Sequence, residues 1–169
     1  MEQAKGNRFY DGVVIYDGVT IGKNVVIHAG AVIGVEGAIR GKTEFKGTVV
    51  IGDNVKIGAN AVIAKGVEGE TIIGNDCLIM NLSNVGHNAV IGEGSEVGAG
   101  VVVNGHATIG KNCKLKTGAT IRNRVTIADN VIIGQRANVT KDCLRHGGTY
   151  YGNPARLQVK KLGQNPAKG

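Results

Sequence analysis

A branched aliphatic side chain returns at every sixth position along most of this sequence. The column runs through Ile15, Ile21, Ile27, Ile33, Ile39, Phe45, Ile51, Ile57 and Ile63, and after one break from Ile73 to Val139. A second apolar or small residue sits two positions earlier, as at Val25, Ala31, Val49, Ala61, Ala89, Ala107, Ala119 and Val131. A helix repeats every ~3.6 residues and a plain strand about every two, so neither accounts for a period of six. Three short strands of one hexad each close a triangular coil of roughly eighteen residues, and stacked coils bury a continuous interior column. The pattern predicts an all-β parallel β-helix of about seven turns over residues 1–146, with a short C-terminal loop and tail over 147–169.

Two irregularities interrupt the repeat. Between Gly34 and Lys46 the phase survives through Ile39 and Phe45 while the composition weakens, which predicts a distorted strand pair or a bulged turn. From Ile63 to Ile73 the spacing grows by four residues, so a corner within AKGVEGE is expected to protrude as a loop. Phe9 keeps the phase and is a candidate first rung, with the residues through Tyr10 covering the lower edge.

Composition changes the picture in three places. The 28 glycines fall at fixed phase, so they read as corners, where a bend needs positive φ or lacks room for a Cβ. The cysteines, Cys77, Cys113 and Cys143, are separated by multiples of six and share the inward phase. Cys77 and Cys113 lie two coils apart, about 9.6 Å at ~4.8 Å per coil, beyond the ~7 Å Cα separation a disulfide tolerates. Reduced thiols, the start MEQAKGNRFY without an apolar h-region and the lack of any ~18-residue apolar run lead to the expectation of a cytoplasmic protein without a membrane span. The formal charge of +7 gathers toward the end, at Arg122, Arg124, Arg136, Lys141, Arg145, Arg156, Lys160 and Lys161. Aromatics make up 4% of the chain, too few for the stacking platforms of single-strand nucleic-acid binders. A polyphosphate ligand or a plain solvated basic surface both fit.

The candidate chemistry lies in Asn84–Asn88, the segment NVGHN. His87 sits two past the marker Val85, on a corner, and Gly105 follows one coil later. A histidine below a glycine offers a base beside an unobstructed backbone N–H, which are the two groups that acyl transfer requires. The same column continues to Asn123 and Lys141, with Arg124 beside it. One coil below His87, allowing for the insertion, stands Lys65, a candidate for an acceptor phosphate. Asn84, Asn88 and His106 are the other candidates for the acceptor pocket. The inward cysteines do not suit a nucleophile.

The stretch ETIIGNDCLIMNLSNVGHNAVIGEGSEVGAG resembles the solenoid of UDP-3-O-acylglucosamine N-acyltransferases, the lipid A enzymes, including the insertion before Thr71. That resemblance implies a left-handed β-helix, a homotrimer, His87 as general base and the Gly105 amide as oxyanion donor. The end, YYGNPAR, is similar to the loop closing many acetyl-CoA-dependent sugar acetyltransferases. It implies that Asn153, Pro154 and Arg156 join Gly105, Asn123, Arg124 and Lys141 around coenzyme A, with a phosphate near Lys141, Arg156 or Lys160. Members of the family often pair the histidine with a following carboxylate; here Asn88 follows, and what orients the imidazole stays open.

These readings lead to an acyltransferase that moves acetyl from acetyl-CoA, as co-substrate, to an amino sugar, nucleotide-linked, for surface-glycan biosynthesis. A hydroxyl acceptor and a longer acyl chain of the lipid A type are the alternatives. The expected partners are the sugar acceptor, coenzyme A and two further copies of the chain, with no nucleic acid and no metal. A γ-type carbonic anhydrase on the same fold needs three converging histidines, and the spacing brings together His87 and His106 while leaving His28 and His146 apart.

Overall fold

The computed structural model describes residues 6–37 and 39–158. Each hexad contributes one short strand, and successive strands join three different sheets in rotation. The first sheet carries eight parallel rungs, from Arg8–Phe9 to Thr149–Tyr151; the second carries seven, from Val14–Ile15 to Asn138–Val139; the third carries six, from Val19–Ile21 to Thr126–Ile127. Every neighbouring pair along the coil is parallel, and the marker residues face each other in register, as Ile57, Ile79, Val97 and Leu115 do. Among the described residues there is no helix.

The repeat forms this shape because a strand's side chains alternate in direction. The marker therefore points inward, and the residues beside it point out. Ile27, Ile57, Ile79, Ile91, Ile109, Ile121, Ile127 and Ile133 are all fully buried, and each such side chain removed from water stabilises by about 1.5–3 kcal/mol. The second inward position takes Ala or Val because it lies near the tapering corner, and Ala31, Ala61, Ala89, Ala107 and Ala119 are buried there. Corners turn through left-handed backbone, mostly at Gly or at Asn and Asp, such as Gly94, Asn54, Asn60, Asn112 and Asn130; glycine has no Cβ to clash and the short polar side chains tolerate that region. On two of the three corners Asn or Asp also ties coil to coil. The side-chain oxygens of Asp53, Asn75, Asn81 and Asp129 accept the backbone N–H of Lys23, Asp53, Ala59 and Lys111 one coil below.

The structure departs from the sequence pattern at both ends of the count. Residues 36–47 leave the coil altogether: Val32 pairs with Val62 and Val19 with Val49. Ile39 and Phe45 are therefore not rungs, and the expectation of a distorted strand pair gives way to a loop excursion. Conversely Arg8–Phe9 forms the first rung, as the phase of Phe9 predicted, and Thr149–Tyr151 adds a last one against Ile132–Ile133. The count rises to eight rungs on the first sheet. The insertion at 64–70 is present as expected, since Leu78 pairs with Lys56 and Asn84 with Val62. After Val139 the phase breaks, and Cys143 bridges to Ile127 two residues early. The chain then turns back antiparallel through Arg156–Leu157, with a cis Asn153–Pro154 peptide between.

Candidate active site

His87 stands on the corner between the second and third sheets, after the strand Asn84–Val85 and before Val90–Ile91. The strand register places Gly105 directly above it. A Cβ built on Gly105 would lie 2.6 Å from His87 Nε2, so only glycine lets the imidazole lie flat against this backbone. At several places on the other two corners, Lys23, Asp53, Ala59 and Lys111, the equivalent amide is taken by an Asn or Asp oxygen from the coil above; among the described residues the Gly105 N–H has no acceptor. A backbone donor left free beside an imidazole nitrogen is the local result of placing Gly, then an outward Asn123, in this column.

The imidazole is held from its far side. His87 Nδ1 lies 3.1 Å from Asn88 Oδ1, and Gly37, from the 36–47 excursion, passes close to His87 Cδ2 and to the buried Phe45 ring. His106 meets His87 edge to face, with ring centroids 5.1 Å apart. Loss of hydration in the cleft, then the Arg124 guanidinium, then His87, hold the His106 imidazole below its usual range, which keeps it neutral at neutral pH. His106 and Arg124 also sit in left-handed backbone, at φ 59° and 61°. Leu82 and Arg136 adopt the same conformation at other corners, so it belongs to the turn of the coil.

These residues line an open cleft of about 860 Å³. Its lower wall is built from the two departures from the repeat: Ile39 and Lys42 from the excursion, Val67 and Glu68 from the insertion. Lys42 and Glu68 approach to 3.9 Å across the mouth, a solvent-exposed pair that contributes little energy. Upward, Arg122, Asn123 and Arg124 continue into a second hollow bounded by Thr140 and Lys141, so the groove becomes basic toward the top.

Of the residues singled out in the sequence, the cleft brings together His87, Asn88, Gly105, His106, Asn123 and Arg124, with Lys141 in the adjoining hollow. Asn84 is exposed on the outer face of the second sheet and does not line the cleft. Lys65 is ion-paired with Glu36 at 2.9 Å, also outside the lining. Asn153 accepts a hydrogen bond from Asn138 and Arg156 donates to the carbonyl of Ala155; with Pro154 they form the hairpin at the top of the solenoid, apart from the cleft. Lys160 lies outside the described residues. Cys77, Cys113 and Cys143 are buried and unbonded to one another, and burial pushes the Cys77 and Cys143 thiols up to about 11. Among the described residues no three His, Cys, Asp or Glu side chains converge to hold a metal ion, and no helix is long and apolar enough to cross a membrane.

The repeat pattern described as "Bacterial transferase hexapeptide (six repeats)" matches residues 5–34, 70–105 and 106–141, more than half of the chain. The chain belongs to the bacterial transferase hexapeptide family. Its solenoid is accordingly a left-handed β-helix. A second pattern, "Hexapeptide repeat of succinyl-transferase", matches residues 48–68. The interval between the two sets of repeats contains the excursion at 36–47. No curated protein matches by sequence. Among solved structures, the chain is similar to LpxA, a UDP-N-acetylglucosamine acyltransferase from Bacteroides fragilis, at 28% identity and TM-score 0.86 over 90% of this chain and 60% of that one. It shares its fold with the UDP-N-acetylglucosamine O-acyltransferase of Moraxella catarrhalis (23% identity, TM-score 0.73, 91% and 72% covered). It also shares it with PerB of Caulobacter crescentus, solved with CoA and GDP-perosamine (22%, 0.56, 90% and 57%). The chain thus spans 60% of the length of the Bacteroides protein.

For this hexapeptide-family chain, sequence reasoning missed Ile39, Lys42 and Asn104 as cleft residues. Asn104 is anchored by donating to the Ile121 carbonyl at 2.7 Å. The polar Asn104 directly before Gly105 was a visible signal. The run of Gly, Lys and Glu through 36–47 was another, because a true rung seldom carries so many charges.

Proposed function

We propose that this protein transfers an acyl group from a thioester to a sugar, with acetyl-CoA as donor and the amine of a nucleotide-linked amino sugar as acceptor. The observation that carries the reading is an imidazole nitrogen set against a free backbone amide, His87 Nε2 beside Gly105. The acceptor amine attacks the thioester carbonyl and forms the new C–N bond while its proton passes to His87 Nε2. The developing oxyanion takes the Gly105 N–H. Collapse breaks the C–S bond, and the leaving thiolate recovers the proton from the imidazolium, which returns His87 to its starting state. No acyl-enzyme is needed, and the raised thiol pKa values of the buried cysteines fit that direct route. The basic upper groove at Arg122, Arg124 and Lys141 suits the phosphates of coenzyme A, and the irregular lower wall suits the sugar. Asn153, Pro154 and Arg156 would reach the donor from the hairpin of a neighbouring subunit or from their own, and the trimer is part of this proposal.

A second reading has the acceptor as a hydroxyl. The 28% identity with a UDP-N-acetylglucosamine acyltransferase favours it. The deciding experiment incubates the protein with acetyl-CoA and a panel of UDP-, GDP- and dTDP-linked sugars, each with a free amine or with that amine already acetylated, and reads products by mass spectrometry. Acetylation confined to free amines is expected. Acetylation of the blocked sugars supports the hydroxyl reading, and no transfer to any member contradicts acetyl-CoA as donor.

A further inference from the structure

We propose that Asn88 is a positioning residue that fixes the tautomer of His87 and couples it to the 64–70 insertion. Its catalytic consequence rests on the acyl-transfer reading; the tautomer itself does not. Asn88 Oδ1 accepts the Val67 backbone N–H at 3.0 Å and faces His87 Nδ1 at 3.1 Å, while Asn88 Nδ2 donates to the Glu68 carbonyl at 2.7 Å. Turning the amide over would set its NH₂ against the Val67 N–H and its oxygen against the Glu68 carbonyl. Both bonds would be replaced by like facing like, at the cost of leaving those groups unsatisfied. The insertion's backbone therefore decides which atom Asn88 shows to the imidazole.

That atom is an amide oxygen, which only accepts. Nδ1 must then carry the ring proton, and Nε2 keeps its lone pair on the side that faces Gly105. A neutral imidazole in water prefers the opposite tautomer, so the preference is imposed here. Asn88 itself cannot drift: its N–H donates to the buried Thr71 hydroxyl at 2.8 Å, and its φ of 58° is a corner conformation set by the coil. Both acceptor sites of Oδ1 and one of the two Nδ2 hydrogens are thereby engaged by protein, which leaves Asn88 little to offer a sugar. A neutral amide also differs from a carboxylate in adding no opposite charge to the imidazolium formed during transfer.

Asn88→Ala would strain a left-handed position, so Asn88→Gly is the proper deletion and Asn88→Asp the isosteric change that keeps an oxygen toward His87. The ¹⁵N resonances of the His87 ring, assigned with His87→Gln, report the tautomer at pH 8 without any substrate. Wild type is expected as Nδ1–H. Asn88→Gly is expected to shift toward Nε2–H and to lose on the order of 10²-fold in kcat, with little change in KM for acetyl-CoA. Asn88→Asp loses the bond to the Glu68 carbonyl, which its second oxygen then faces, and is expected to melt lower. Its other oxygen, still accepting from the Val67 N–H, should keep Nδ1–H and move the acid limb of kcat/KM to higher pH, because a carboxylate beside Nδ1–H favours the imidazolium. The other charged or titratable groups around His87, namely Lys42, Glu68, His106, Arg122 and Arg124 in the cleft and the Lys65–Glu36 pair below, are common to all variants. A merely structural Asn88 would lower the melting temperature and leave tautomer and acid limb in place. The proposal is overturned by Nε2–H in the wild type, by Nδ1–H persisting in Asn88→Gly, or by an unmoved acid limb in Asn88→Asp; the last decides alone if the glycine variant does not fold. Nδ1–H in a wild type that transfers no acetyl group would instead sink the acyl-transfer reading and leave the tautomer assignment standing.

Discussion

Gly105 combines two properties that no other residue offers at its place. It has no Cβ to displace the imidazole, and among the described residues its N–H has no acceptor, unlike the corner amides of Lys23, Asp53, Ala59 and Lys111. In Gly105→Ala the new methyl would sit 2.6 Å from His87 Nε2, so the ring must turn away from the donor. Turnover is expected to fall on the order of 10²-fold or more, the range for losing a positioned general base, while the melting temperature stays within a few degrees because the core is untouched. Steady-state kinetics and a thermal melt check both halves; normal turnover would remove Gly105 from the site. His87 and Gly105 were legible in the sequence because every coil from the third onward near the site keeps its spacing, so stacking follows by counting. The bonds of Asn88 were not legible. They end on backbone groups of Val67 and Glu68, inside an insertion that has no period to read.

At the scale of elements, the two irregular segments show what a repeat can and cannot reveal. The insertion at 64–70 adds four residues, which breaks the six-residue phase and exposes itself at once. The excursion at 36–47 adds twelve, two whole hexads, so Ile39 and Phe45 fall on phase by arithmetic while the chain leaves the coil. Phe45 is still buried, but against Gly37 beneath the cleft, not in the column. The last rung, Thr149–Tyr151, was hidden for the converse reason. It reaches Ile132–Ile133 one residue out of phase, and a hexad count ends before it. Both insertions emerge on the same corner and flank the same imidazole, so a uniform scaffold acquires one non-uniform place.

At the scale of the whole molecule, the prism presents an outward column on its second sheet through Val14, Val32, Val62, Asn84 and Val102, mostly valine, beside the cleft corner. An apolar strip beside an open cleft suits packing of a second prism, and cyclic closure of such contacts gives a trimer. Light scattering is expected to return a mass near three chains. A monomer active at assay concentration would contradict a site shared between subunits.

The central claim is that the His87 imidazole takes the acceptor's proton as acetyl leaves coenzyme A. It is tested most directly by measuring acetyl transfer by His87→Ala against the wild type on the best acceptor of the panel, with acetyl-CoA binding followed by calorimetry on both. The account predicts a loss of about 10²–10⁴-fold in kcat, unchanged folding and acetyl-CoA affinity within a few-fold. Turnover equal to the wild type would contradict it.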